Sequence, residues 1–196
     1  MHQDGDILDG ADMAALAAGR DGALNDLMER HGEKLFHYLI RLSQNETDAA
    51  DLAQESFVKV YQNRGKFRRD SKFSTWLYAI ATNLARSHFR WKTRHPEVSL
   101  EAENQQTERS LEDSMAAPDI SPFEILQTEE RANVIRQAVA DLPEDLRVPL
   151  VLAEYEDKSQ SEIADILDCT VKTVEMRIYR ARQQLRKQLD TLVNPI

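Results

Sequence analysis

The stretch Ser159–Leu189, SQSEIADILDCTVKTVEMRIYRARQQLRKQL, decides how the chain is read. Ser159-Gln-Ser-Glu162 has the spacing of a capping box, in which hydroxyl and carboxylate each satisfy a backbone N–H, so it predicts a helix start. That helix should reach Leu167. Asp168-Cys169-Thr170 then reads as a turn, with Asp168 at a position that often takes glycine; Asp tolerates the left-handed conformation better than most residues. Val171 to about Leu189 follows as a longer, basic helix. Ile163, Leu167, Cys169 and Val174 are apolar where two crossed helices must meet, and Ala164 is small where they approach closely. A short capped helix, a three-residue turn and a basic helix make a helix-turn-helix.

Helical geometry selects the outward face of the second helix. Val171, Val174, Ile178, Ala181 and Leu185 share one side. At about 100° per residue, the opposite side holds Lys172, Met176, Tyr179, Arg180, Gln183 and Lys187. Arg180 and Gln183 carry the forked groups suited to base edges in a major groove. Arg177, Arg182 and Arg186 lie on the flanks, where phosphate contacts are expected. A solvated basic face is the plainer reading of these cations. The capping box, the turn and the paired apolar stripes together outweigh it. Cys169 reads as a small core hydrophobe rather than a reactive thiol.

The rest of the chain is predicted to be all-α. Glycine is scarce, 6 of 196 residues, and period-two apolar alternation is absent. In the first half, Asp12 is expected to cap a short helix ending at Gly19. A stripe from Leu24 to Leu42 predicts a second helix that Gly32 bends or interrupts. Asn45 or Thr47 starts a third, carrying Leu52, Phe57, Val58, Val60 and Tyr61 and breaking near Gly65. Ser71 is expected to cap a fourth, where Phe73, Trp76, Leu77, Ile80, Ala81 and Leu84 give the strongest amphipathic pattern in the chain. Residues 96–121 are acidic, nearly free of aromatics and flanked by prolines, the composition of a flexible linker. Beyond it, Phe123–Leu142 reads as one helix. Pro143 is expected at the first position of the next, and Pro149 should kink or shorten it. The organisation is therefore two small helical domains, 1–95 and 122–196, joined by an acidic linker, 96–121.

Net charge is −9, which at first argues against a nucleic-acid partner. The distribution reverses that impression. Residues 64–95 carry +8 and residues 170–196 carry +4, with a run of −9 over residues 96–130 between them. Local charge governs counterion release at a contact, so the patches matter more than the total. Within 64–95, Phe67, Phe73, Trp76, Tyr78, Phe89 and Trp91 alternate with nine cations. Aromatics among cations suit unstacked bases along a phosphate track. Core packing is nonetheless the first role of Phe73 and Trp76, because they lie on the apolar stripe. The opposite side holds Asn83, placed to hydrogen-bond a base, with Arg86 and Arg90 for phosphates.

Three stretches resemble the sigma-70 family of bacterial sigma factors, in its extracytoplasmic-function form. They are RHGEKLFHYLIRLSQNETDAADLAQESFVKVY (Arg30–Tyr61), FRRDSKFSTWLYAIATNLARSHFR (Phe67–Arg90) and LPEDLRVPLVLAEYEDKSQSEIADILDCTVKTVEMRIYRARQQLRKQL (Leu142–Leu189). The first resembles the core-polymerase-binding part of region 2, the second its promoter-melting and −10-reading part, and the third region 4, the −35 reader. The resemblance implies that Asp51, Gln54 and Glu55 dock on the polymerase clamp helices. It implies that Asn83 meets a flipped-out −10 base, and that Lys72 and the Phe67–Phe73 loop form the pocket for it. It implies −35 base contacts from Met176, Tyr179 and Arg180, and a linker threaded through polymerase channels. The implied partners are core RNA polymerase, through its clamp helices and flap, promoter DNA, and an anti-sigma factor of the kind family members commonly have.

The sequence departs from the family pattern at the entry to the recognition helix. Lys172-Thr173-Val174 stands where glycine-threonine-valine is usual. Glu175 replaces a basic or small residue, and Met176 a small polar one. An unusual −35 preference is expected, since a carboxylate accepts from cytosine but repels phosphate.

Other classes fit less well. An ordinary helix-turn-helix regulator with an N-terminal sensing or dimerising domain would not need the basic aromatic patch. Enzyme, metal and cofactor readings find no support: the five histidines show no ligand spacing with Cys169, and no glycine-rich phosphate loop is present. One cysteine allows no internal disulfide, and no apolar run approaches the roughly 18 residues of a membrane span. Met1–Gly10 lacks the apolar core of a signal peptide, so a cytoplasmic protein without membrane insertion is expected.

Overall fold

A computed structural model describes residues 2–68, 70–95 and 122–193. The acidic segment 96–121, expected to be a linker, and Arg69 of the basic patch lie outside the described residues. The elements are α1 (His2–Ala17), α2 (Ala23–Ser43), α3 (Glu46–Gln62), a 3-10 turn (Arg64–Lys66), α4 (Phe73–Arg94), α5 (Pro122–Ala140), α6 (Glu144–Glu154), α7 (Gln160–Leu167) and α8 (Val171–Val193). Among the described residues there is no strand, as the missing period-two alternation predicts.

Helix α2 is central to the first half and packs on α1, α3 and α4. Its buried stripe of Leu27, Leu35, Tyr38, Leu39 and Leu42 meets Leu52, Phe57 and Val60 of α3 and Phe73, Leu77 and Ala81 of α4. The Tyr38 hydroxyl lies 2.7 Å from Thr82 Oγ1, and Thr82 donates on to the Tyr78 carbonyl at 2.6 Å. This chain leaves no buried hydroxyl unsatisfied along the α2–α4 contact, and burial pushes the Tyr38 hydroxyl well above its ordinary range.

The two halves share this core. Helix α7 packs on α4, and α6 on α2. Val148, Leu150, Val151, Leu152, Ile163, Ile166 and Leu167 continue the same buried apolar cluster. A half this short has a small core, and lying against the first half enlarges it.

The structure corrects several helix boundaries. Asp12 lies inside α1, which starts at His2, and it pairs with Arg30 instead of capping. Gly19 does end the element, at φ +90°. Helix α2 runs through Gly32 uninterrupted. Asn45 caps α3, its side chain accepting from Asp48 N–H at 2.8 Å. Ser71 does not cap α4; its hydroxyl donates to the Arg68 carbonyl at 3.0 Å, and Lys72 takes the capping position with an extended backbone. Pro143 sits one residue before α6 rather than within it. Pro149 does not end α6, which continues to Glu154. The carbonyl it deprives of an i+4 donor belongs to Asp145, an exposed residue in the first turn of α6.

Candidate nucleic-acid and polymerase interfaces

The helix-turn-helix forms as its local chemistry dictates. Ser159 Oγ accepts from Glu162 N–H at 3.3 Å while Glu162 Oε2 accepts from Ser159 N–H at 2.9 Å, so the capping box is closed. Asp168 adopts φ 50°, the left-handed turn expected of it. Thr170, not singled out from sequence, prepares α8: its Oγ1 accepts from Thr173 N–H at 3.2 Å. A threonine just before a helical run is the signal that would have found it.

Val174, Ile178 and Ala181 are buried where α8 packs on α6 and α7, and Cys169 is half-buried at the edge of the core. Val171, assigned to the same side, is instead exposed. The predicted readers Lys172, Met176, Tyr179, Arg180 and Gln183 are all exposed on the outer side of α8. Tyr179 is 62% exposed, too much for a packing role, and its hydroxyl accepts from Gln183 Nε2 at 2.7 Å. That bond presents phenol and amide together as one polar surface. Of the predicted phosphate contacts, Arg186 is exposed and Arg177 half-buried. Arg182 reaches back to Glu154 of α6 through Nη2, at 2.6 Å.

On α4, Asn83 and Arg90 are exposed, and Arg90 Nε donates to the Arg86 carbonyl at 3.3 Å. Arg86 is half-buried because Nε meets Glu144 Oε1 at 3.0 Å. An open cleft of about 540 Å³ lies beside this contact, lined by Ser87, Phe89, Arg90, Thr93, Arg94 and Glu144. Lys72 Nζ lies 3.0 Å from Glu162 Oε1 and 3.9 Å from Asp6 Oδ2. Phe67 packs against both Phe73 and Trp76, with ring centroids 6.2 Å and 5.3 Å away. Phe73 is fully buried, which bears out its packing role.

On α3, Asp51, Gln54 and Glu55 are exposed. Val58, read from sequence as part of the apolar stripe, is 45% exposed and extends this trio by one turn.

The contacts between the halves carry no signal in the sequence. Glu156 Oε2 accepts from the Tyr78 hydroxyl at 2.5 Å, and Glu156 Oε1 lies 3.6 Å from Arg41. Lys158 donates to Ser74 Oγ at 3.0 Å and rests over the Tyr78 ring. Burial pushes the Glu156 carboxyl above its ordinary range, although Tyr78 and Arg41 pull the other way. Glu162 behaves oppositely. Burial would raise it, but hydrogen bonds from Ser159 and Lys72 prevail and hold it at about 2.

Two helical halves, one presenting a helix-turn-helix and the other a basic helix with clustered aromatics, define a DNA-binding transcription protein. Residues 27–95 match the sigma-70 region 2 family, and residues 132–185 match sigma-70 region 4. The RNA polymerase sigma-H factor of Pseudomonas aeruginosa is 37% identical over 177 residues, covering 89% of this chain and 90% of that protein. The ECF RNA polymerase sigma factor SigW of Bacillus subtilis is 37% identical over 175 residues, covering 89% and 92%. Among solved structures, CnrH in complex with the cytosolic domain of CnrY superposes with a TM-score of 0.68 at 28% identity, covering 94% of this chain and 98% of that one. The chain belongs to the sigma-70 family, in its extracytoplasmic-function branch: it is an RNA polymerase sigma factor serving transcription initiation. The region 2 match over the first half disfavours the stand-alone regulator with a sensing domain. No described helix is long and apolar enough to cross a membrane.

Proposed function

We propose that the sites divide the work of initiation as follows. The exposed side of α3, with Asp51, Gln54 and Glu55, docks on the clamp helices of core RNA polymerase. Lys72, Asn83, Arg86 and Arg90 engage the −10 element and hold its opened strand. Lys172, Met176, Tyr179, Arg180 and Gln183 read the −35 element, with Arg177, Arg182 and Arg186 on phosphates. Residues 1–95 and 122–196 form the two functional domains, and residues 96–121 connect them. The protein performs no catalysis of its own and works in the cytoplasm. An anti-sigma factor is its regulatory partner, a reading supported by the likeness to CnrH, which is seen with CnrY.

The observation that carries this reading is the two-sidedness of α8. Val174, Ile178 and Ala181 are buried while all five predicted readers are exposed, so the helix offers a side chain surface that the fold itself does not use. Run-off transcription tests it. Core polymerase supplemented with this protein should produce a transcript from a promoter selected out of a randomised −35 library. No transcript, together with tight duplex binding by the protein alone, would sink the proposal.

A further inference from the structure

We propose that α1 is a working part of the promoter-opening surface, with Asp9 and His31 positioning the aromatic cluster behind the −10 loop. The helix precedes residue 27, where the region 2 match begins. Three observations point the same way.

The first is a buried carboxylate. Asp9 is 2% exposed, on the same side of α1 as the fully buried Met13 and Leu16. It accepts from Arg30 Nε at 2.9 Å and lies 2.7 Å from His31 Nε2. An ionised carboxylate only accepts, so His31 donates through Nε2. Burial would raise the Asp9 carboxyl, but the bonds from His31 and Arg30 hold it below its ordinary value. An apolar residue would seal this position without the desolvation cost of a charge. What the charge adds is direction: it fixes the plane and position of the His31 ring.

The second is where that ring goes. Its centroid lies 5.1 Å from that of Phe73, the first residue of α4. Phe73 is in turn 6.4 Å from Trp76 and 6.2 Å from Phe67. The Asp9–His31 pair thus ends on the cluster that supports the loop before Lys72.

The third is a direct approach. Asp6, one turn before Asp9, lies 3.9 Å from Lys72 Nζ, and α1 also packs on the 3-10 turn Arg64–Lys66 that leads into the loop. Helix α1 therefore touches the loop's entrance and its cation, and reaches its supporting rings through His31 of α2.

This inference rests on the −10 role proposed above for Lys72, and the experiment separates the two. Holoenzyme reconstituted with each variant is titrated with a fluorescent single-stranded −10 oligonucleotide. Core binding and melting temperature are measured alongside. His31→Gln keeps a donor for Asp9 but removes the ring from Phe73. It should weaken oligonucleotide capture about tenfold, the scale of one lost stacking support, with core binding and melting temperature nearly unchanged. His31→Phe restores a ring and should capture close to wild type. Lys72→Ala reports on the underlying reading and should also lose capture. Wild-type capture by His31→Gln beside a defective Lys72→Ala overturns the α1 proposal alone. So does equal loss in His31→Phe, or a His31→Gln protein that melts early and loses core binding too. Unimpaired capture by Lys72→Ala overturns both readings.

Discussion

Lys72 Nζ lies 3.0 Å from Glu162 Oε1, joining the residue that opens α4 to the residue that closes the capping box of the helix-turn-helix. One carboxylate thus serves two structures. Its Oε2 accepts from Ser159 while its Oε1 meets a cation of the other half.

Acid should loosen this junction. The Glu162 carboxyl is held at about 2 against an ordinary 4.5, so its contribution to stability is fully present above about pH 4.5 and is lost as pH falls toward 2. The pair is partly solvent-exposed, so the contribution should stay below about 1 kcal/mol. Urea denaturation of wild type and Glu162→Gln at pH 7 and pH 3 checks this. The difference should shrink at the lower pH; an unchanged difference would refute the assignment.

Glu156 should show the opposite sign. Its carboxyl is raised above its ordinary value, so its contribution is largest below the unfolded value of 4.5 and is lost as pH rises through the folded one. Glu156→Gln keeps an acceptor for the Tyr78 hydroxyl and removes the buried charge. It should be neutral or stabilising at pH 7, because it relieves the desolvation cost of the carboxylate while Arg41, at the edge of solvent, keeps water as its partner. Glu156→Ala leaves that hydroxyl unpaired and should cost about 1–3 kcal/mol. Thermal denaturation of both variants distinguishes these outcomes.

Recognition of −35 should depend on α8 side chain by side chain. Arg180→Ala should weaken or relax reading of one base pair by about 1–3 kcal/mol, whereas Arg186→Ala should weaken all sequences alike and flatten the salt dependence. Binding assays on single-base-pair variants of the selected promoter report both. With Lys172, Glu175 and Met176 at its entry, this helix should select a sequence other than a GGAAC-type consensus. Recovery of that consensus from a randomised library would contradict the prediction.

Polymerase docking should be lost without loss of fold. Asp51 is exposed on α3, so Asp51→Arg should change stability by no more than about 0.5 kcal/mol. Core binding measured by co-purification should nevertheless fail, and Val58→Asp, one turn further along, should weaken it in the same direction. Normal core binding by Asp51→Arg would remove that residue from the interface.

What could be read from the sequence was what is local. The capping box of Ser159 and Glu162, the left-handed Asp168, and the buried and exposed sides of α8 each depend on residues within a few positions of one another. The starts of α1 and α4 are not where local capping chemistry puts them. Asp12 and Ser71 have the chemistry of caps, but Arg30 claims one and the Arg68 carbonyl the other. The junction of the halves was out of reach because its partners lie far apart in the chain, 78 residues for Tyr78 and Glu156. Asp9 did leave a trace. Its spacing to Met13 and Leu16 puts an acid on an apolar stripe, and a buried acid implies a partner.

Three of the cations assigned to promoter contacts already face a carboxylate of the same chain: Lys72 with Glu162, Arg86 with Glu144 and Arg182 with Glu154. A cation meeting a phosphate ordinarily releases counterions from the DNA, and that release makes affinity fall steeply with ionic strength. Here, each of these cations must first part from an internal counterion, a separation that added salt assists. The two dependences oppose one another. Salt sensitivity of promoter engagement should therefore be gentler than a count of phosphate contacts would give, because the protein carries part of its own ion atmosphere.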